Sequence, residues 1–330
     1  MLPPEILARF GVRPDRVEKL REKGAAHTHW RLGETGLLLR VPRLSQWGMG
    51  PEENLAYQVA CFRRAEPSGA TPRLAQVVEP SPALPRGALA VEEIVGRVPR
   101  LPDDLPAIAA ALGAIHALPV PPARAPLVDH APDPLGATAA ALEAQRGLLD
   151  EVEMPAVTRR ALLDEVAKMQ PAPSPVTLVA TDTHPGNFIV RADGRAILVD
   201  LEKSLYGAPA IDLAHATLPT STLWDMDVAA ELSADATAAF YAAWRDAVPR
   251  DLAASVRESL LPARRITFLR TILWCVRWRR ASSQEGEWSA ARLDPALLAH
   301  IAGRVALFLT PEFVGRARAS LFLICSWNEL

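Results

Sequence analysis

Cysteine is scarce in this chain. Cys61, Cys275 and Cys325 are the only three in 330 residues, far apart and outside any Cys-x-x-Cys or Cys/His ligand spacing. Neither a disulfide framework nor a zinc site is indicated, and a reducing cytoplasm fits. Long apolar runs are missing too. The longest late one, Val305-Ala306-Leu307-Phe308-Leu309, falls far short of the roughly 20 residues that span a bilayer. Met1-Leu2-Pro3-Pro4-Glu5 has no basic stretch leading into an apolar run, so no signal peptide is expected. The formal net charge is only −2, so no overall field draws the chain to nucleic acid or to an anionic membrane. These absences predict a cytoplasmic protein with neither partner. What remains is ordinary for a soluble globular protein, 49% hydrophobic and 22% charged. The length exceeds one small core and implies two domains or lobes. Arginine far outnumbers lysine, alanine is abundant and there are 30 prolines, a compositional bias with little functional content.

The hydrophobic pattern divides the chain. Residues 4–23 read as one or two short polar helices ended by Gly24. His29–Leu32 and Leu37–Val41 read as a hairpin across Gly33-Glu34-Thr35-Gly36. Residues 51–65 place Leu55, Val59 and Phe62 at helical spacing behind Pro51. Leu74–Val78 and Ala88–Val95 read as two more strands. After Pro99, Pro102 and Pro106 the pattern turns helical, over 104–117, 134–149, 155–169, 227–247, 252–281 and 294–309. The exception is a strand pair around 188–200 that turns at Ala192-Asp193-Gly194. No internal repeat is found.

One stretch carries chemistry. Ala180-Thr181-Asp182-Thr183-His184-Pro185-Gly186-Asn187-Phe188-Ile189-Val190 is followed by Ile197-Leu198-Val199-Asp200-Leu201-Glu202. A carboxylate, an amide five residues on and a second carboxylate thirteen beyond that lie on a loop and its flanking strands. Phosphoryl transfer from a nucleotide needs that set. Asp182 would accept the proton of an attacking hydroxyl, and Asn187 and Asp200 would hold Mg2+ bridging the nucleotide phosphates.

Segment 178–217 resembles the catalytic core of the aminoglycoside phosphotransferase/choline kinase-like family, relatives of the protein kinases. That family commonly reads His-Gly-Asp-Leu-His-Pro-Gly-Asn, a hairpin, Asp-Trp-Glu, then Gly-Asp-Pro and an Asp-Leu-Ala helix. This chain has Ala180-Thr181-Asp182-Thr183-His184-Pro185-Gly186-Asn187, Asp200-Leu201-Glu202, and Gly207-Ala208-Pro209-Ala210-Ile211-Asp212-Leu213-Ala214. Gly113–Pro119 resembles the Leu-His-Ala segment of the family's first large-lobe helices. Weaker echoes extend the likeness over roughly the first two thirds of the chain.

The resemblance implies an α+β, bilobal protein kinase-like fold. Residues 1–96 would be a nucleotide-binding lobe of β-sheet plus one helix, and residues 97–330 a larger, mostly helical catalytic and substrate-binding lobe. It also implies ATP or another nucleoside triphosphate in the cleft, with Mg2+. Asp182 falls on the catalytic base, Asn187 and Asp200 on the metal ligands, Glu202 on an acidic position near the metals and Asp212 on an acid that braces the catalytic loop. Arg40 falls where relatives hold the phosphates with Lys or Arg; Glu53 is its expected ion-pair partner and Glu52 the competitor. Glu92 and Ile94 fall on the connector whose backbone would bond the adenine. Gly24-Ala25-Ala26-His27 resembles the loop over the phosphates, with His27 where Asn is usual. Three departures stand out: Ala180-Thr181 in place of His-Gly, a phosphate loop poor in glycine, and an arginine fork in place of a lysine point charge.

The implied activity is phosphoryl transfer to a hydroxyl of a small molecule. The competing reading is a nucleotide-binding, pseudokinase-like regulatory module, motivated by the first two departures. Protein kinase activity is disfavoured, because no activation segment is recognisable between Asp200 and Asp212. For the acceptor, two readings stay open. Trp224 with Asp225 and Asp227 would suit a cation, whereas arginines among 264–280 turned inward would suit an anion. The alternative for that stretch is an amphipathic helix with Leu269, Ile272, Leu273 and Val276 inward and its arginines solvated. His116 reads as a satisfied, partly buried histidine.

Overall fold

The computed structural model describes residues 2–286 and 289–323, so Cys325 lies outside the described residues. Five strands, β1 (Val17–Lys19), β2 (His27–Leu32), β3 (Leu37–Pro42), β4 (Leu74–Val78) and β5 (Ala88–Glu92), form an antiparallel sheet in the spatial order β1–β2–β3–β5–β4. The β2–β3 hairpin pairs Arg31 with Leu38 and turns through Gly36 at φ +70°, a conformation glycine adopts without penalty. Strand alternation sorts β3. Leu39 joins Leu32, Ala88 and Ala90 under helix α1 (Pro4–Arg9). Arg40 takes the opposite face, its guanidinium 5.5 Å from the Phe62 ring of helix α2 (Pro51–Ala65).

Beyond Gly96 the fold is mostly helical: α3 (Leu105–His116), α4 (Pro134–Glu143), α5 (Leu148–Glu151), α6 (Ala156–Ala167), α7 (Pro209–Thr217), α8 (Pro219–Thr222), α9 (Ala234–Ala247), α10 (Arg250–Val256), α11 (Leu260–Ala281), α12 (Pro295–Phe308) and α13 (Pro311–Ser320). Two short antiparallel pairs sit among them, β6 (Thr177–Val179) with β9 (Leu205–Gly207), and β7 (Phe188–Val190) with β8 (Ala196–Leu198). The first holds the start of the 180–187 loop and the second its end. The connector docks directly on β7: Arg97 and Val190 exchange backbone bonds of 3.0 and 2.8 Å. Gly96 permits this contact, since a Cβ there would lie 2.6 Å from the Ile189 Cγ2 and closer still to the Val190 carbonyl. A single large apolar core runs from α2 and β5 through α3, α7 and α11. No single helix among the described residues is long and apolar enough to cross a membrane.

This is the bilobal arrangement that the sequence predicts, with local corrections. Residues 17–19 are an edge strand, Val17 opposite Leu32, where short helices were expected. The expected helices 134–149 and 252–281 each break in two, the first before Gly147. The expected helix 227–247 begins only at Ala234, where the Ser233 hydroxyl caps Ala236 N. The pair β6/β9 and helix α13 were not anticipated. Their runs of three and ten residues carry too little periodicity to stand out.

Candidate active site

The 180–187 loop hangs on one buried side chain. Asp212, on the first turns of α7, accepts hydrogen bonds from Ala180 N (2.8 Å) and Thr181 N (2.7 Å). His116 Nε2 lies 3.1 Å from the same carboxylate, while His116 Nδ1 accepts from Trp244 Nε1 (3.0 Å). An acceptor at Nδ1 leaves the ring proton on Nε2, so His116 donates to Asp212. His116 is thus satisfied, and fully buried rather than partly. Thr181 sits at φ +61°, a region that costs a side-chain-bearing residue about 1–2 kcal/mol. It occupies the place where the family pattern has glycine. Three contacts hold it there: Asp212, its own hydroxyl to the Lys203 carbonyl (3.0 Å), and the Arg270 guanidinium on its carbonyl.

Asp182 follows at the cleft, half-buried. Its Oδ2 accepts from Lys203 Nζ at 2.7 Å, and its Oδ1 is 4.0 Å from His215 Nε2. Burial opposes its ionisation, but Lys203, His184 and His215 outweigh that and hold the carboxyl well below the usual range. Asn187 donates its amide to the Asp182 carbonyl (2.8 Å), so its side-chain oxygen is the atom left for a cation. Lys203 was missed from sequence. It is one of only four lysines in an arginine-dominated chain and directly follows Asp200-Leu201-Glu202, the two signals that could have drawn attention to it.

Across the cleft, Arg40 donates to Asp200 Oδ1 (2.7 Å) and to the Val199 carbonyl (2.9 Å). The expected Arg40–Glu53 pair does not form. Glu53 and Glu52 are both exposed on the first turn of α2, while the Arg40 guanidinium is spent across the cleft on Asp200 and Val199. One of the buried α2 residues, Gln58, sets its Oε1 3.0 Å from His27 Nε2. His27 also departs from expectation: it opens β2, is buried, and sets its Nδ1 3.2 Å from Glu202 Oε2. Both ring nitrogens are therefore engaged by protein, not offered from a loop. Burial, and the Asp200 carboxylate beside it, raise the Glu202 carboxyl to about 8, while burial lowers the His27 imidazole to about 4. Both sites favour their neutral forms, which suits a hydrogen-bonded brace.

Leu38, Val91, Ile94, Ile189 and Val199 line an apolar slot beside this polar wall, within a cleft of about 1060 Å³. Glu92 lies at its edge, with its N–H already bonded to the Arg73 carbonyl and its carboxylate 3.7 Å from Arg191. Ile94, just beyond β5, makes no backbone hydrogen bond among the described residues. The far end of the cleft is walled by α7, α8 and α11. The aliphatic face expected for α11 is correct, with Leu269, Ile272, Leu273 and Val276 buried. The expectation of solvated arginines holds only in part: Arg277 and Arg280 are exposed, but Arg264 is wholly buried against Thr217, Tyr241 and the Leu321 and Ser320 carbonyls, and Arg270 turns into the cleft.

The donor set fits a hard divalent cation. Asp200 and Asn187 both line the cleft and offer oxygen donors, the type Mg2+ prefers. Glu202 and His27 come within 4.8 Å of Asp200, but they are already bonded to each other.

A small antiparallel sheet joined by a docked connector to a helical lobe, with two acids and an amide on adjoining hairpins, defines a kinase-like fold. The sequence profile of the Phosphotransferase enzyme family matches residues 18–250, and the chain belongs to that family. Three solved structures share the fold. A choline/ethanolamine kinase family protein from Mesorhizobium loti is 20% identical, with TM-score 0.56 over 97% of this chain and 99% of that one. An ethanolamine kinase from Plasmodium vivax is 14% identical, with TM-score 0.57 over 93% and 86%. A GDP complex of aminoglycoside 2'-phosphotransferase-IIIa is 16% identical, with TM-score 0.56 over 91% and 96%. No curated protein sequence matches the chain.

Proposed function

We propose that the protein is a small-molecule kinase that transfers the γ-phosphoryl group of ATP, or another nucleoside triphosphate, to a hydroxyl. The observation that carries this is the Asp182–Asn187–Asp200 set, with the 180–187 loop anchored by Asp212 through Ala180 N and Thr181 N. The boundary between a nucleotide-binding lobe and a catalytic lobe falls at the Gly96 connector. The adenine would lie in the apolar slot against the Glu92–Ile94 backbone. Arg40 would turn part of its fork from Asp200 to the phosphates. Asn187 and Asp200 would hold Mg2+, which supplies charge neutralisation between the phosphate oxygens when bound.

Asp182 orients the acceptor hydroxyl. The acceptor oxygen forms the new P–O bond as the bond to the leaving diphosphate breaks. A carboxylate held this far below its usual range is a weak base. It therefore positions the hydroxyl early and takes the proton late, once the acceptor oxygen carries bond order to phosphorus. Lys203 fixes one Asp182 oxygen and leaves the other for the hydroxyl. It also places a positive charge where phosphoryl charge develops. Asp182→Ala should abolish turnover and leave nucleotide binding largely intact; wild-type turnover in that variant would sink the assignment.

A second reading, a nucleotide-binding regulatory module, draws on one observation. Arg40 is bonded directly to Asp200, so a metal-binding carboxylate is engaged across the cleft. Nucleotide binding without transfer to any compound of a broad hydroxyl library would favour it.

A further inference from the structure

We propose that the acceptor is a small hydroxylated oxyanion, a carboxylate or phosphate ester of an alcohol, whose anionic group is bound by Arg270. This rests on the kinase reading above and specifies its second substrate. Arg270 lines the cleft beside the catalytic loop, and burial lowers its pKa. It donates to the Thr181 carbonyl, one residue before Asp182, and no carboxylate lies within 4.0 Å of it among the described residues. A guanidinium has five N–H donors in a fixed fork. Asp182 and Asp212 act on Arg270 only from a distance, so a desolvated fork with no acid in contact is costly, and a bidentate oxyanion relieves that cost. Three acids of this end are already matched. Asp182 is paired with Lys203, and Asp225 and Asp227 are bridged by Lys23 at 3.2 and 2.6 Å.

A second observation points to the same ligand. Thr220 and Ser221 line this end of the cleft, are 1% exposed, and their hydroxyls have no hydrogen-bond partner. The His215 Nδ1 is orphaned in the same way, and its ring lines the same wall. Buried polar atoms are rarely left unpaired in folded proteins, and a polyhydroxylated acceptor reaching Asp182 would pass them. A cationic acceptor finds less here. Trp224, Trp274 and His300 line this end with their rings packed edge-on at 5.4 and 5.7 Å, but the acids beside Trp224, Asp225 and Asp227, are already bridged by Lys23 and leave a cation no free carboxylate there.

The test uses the full chain with ATP and Mg2+ and three panels matched in skeleton: glucose and glycerol; glucosamine and ethanolamine; gluconate, glycerate, glucose 6-phosphate and glycerol 3-phosphate. Transfer is read as phosphorylated product, and nucleotide affinity is measured separately by calorimetry. The expected result is transfer concentrated in the anionic panel, its carboxylates and phosphates separating the two oxyanion sources. Arg270→Met should lower the ratio of kcat/KM for an anion over its neutral analogue by about 10- to 100-fold, as loss of a charge-assisted bond does. Arg270→Lys should restore part of it, with nucleotide affinity unchanged throughout. A role confined to bracing Thr181 would lower both acceptors equally and would overturn the inference. Transfer chiefly to the neutral or cationic panel would overturn it while leaving the kinase reading intact. Nucleotide binding with no transfer to any panel would overturn both.

Discussion

Replacing Asp212 by alanine removes the one side chain on which the catalytic loop hangs. Three buried donors, Ala180 N, Thr181 N and His116 Nε2, lose their acceptor. Each unsatisfied buried donor costs about 1–3 kcal/mol. A water entering the space of the lost carboxylate would bond one of them, leaving two and a net cost of about 2–6 kcal/mol. That is a large share of the roughly 5–15 kcal/mol typical of a folded protein. The variant should fold but melt early. Function should suffer more than stability. Once its N–H is released, Thr181 gains about 1–2 kcal/mol by leaving φ +61°, and Asp182 moves with it. Asp212→Asn keeps the shape but turns an amide N–H towards a donor, and should cost about 2–3 kcal/mol. Urea unfolding gives the stabilities and product formation at saturating ATP gives the turnover. A loss below about 1 kcal/mol for Asp212→Ala would refute the reasoning, because the three donors would then have found other partners. A His116→Phe/Asp212→Ala cycle should be strongly non-additive, since the two side chains share one bond.

Lys203→Met should cut turnover about 10²-fold, by removing a preorganised charge from the reacting centre. It should also move the acid limb of the kcat profile to higher pH, because Lys203 is the foremost group holding Asp182 down; an unmoved limb would mean that another group sets it. Gly186→Ala would press a Cβ to within 2.6 Å of the Asp225 Cβ, and should cost about 1–3 kcal/mol in a denaturation midpoint or push Asp225 off Lys23. Glu165 joins Arg265 of α11 (2.8 Å) and Arg318 of α13 (2.9 Å) to α6. Burial resists its ionisation, but the two guanidinium groups prevail and its pKa falls below 4.5. A lowered folded-state pKa adds stability above the unfolded value, which is lost as pH drops through the folded one. Glu165→Gln should therefore cost about 1–3 kcal/mol at pH 7, both arginines being partly solvated, and the gap to wild type should close well below pH 4.5.

The parts of the molecule that were legible in the sequence are those whose determinants are local. The helix 51–65 is announced by Pro51 and a run of helically spaced apolar residues, and it forms over those bounds. The 180–202 hairpins are legible because their polar residues are fixed by strand spacing. Asp212 is legible as the loop's brace only through the family resemblance, since three short strands, β7, β8 and β9, lie between it and the loop. Arg40 shows where locality ends. Nothing within the first lobe says that its fork crosses the cleft to Asp200, 160 residues away, instead of pairing with Glu53 on the next helix. The acceptor wall is harder still. Arg264 and Arg270 stand six residues apart on α11, about 240° around the helix at 3.6 residues per turn. Periodicity therefore assigns them to different faces but not to different fates. Arg264 is buried because Thr217, Tyr241 and two carbonyls happen to meet it there. Arg270 faces the cleft because α7 and the catalytic loop end beside it. Which of two arginines reaches the substrate is thus decided by the packing of other elements against α11. On the proposed function, a change of acceptor would need only a repacking of that wall, with Asp182, Asn187 and Asp200 left as they are.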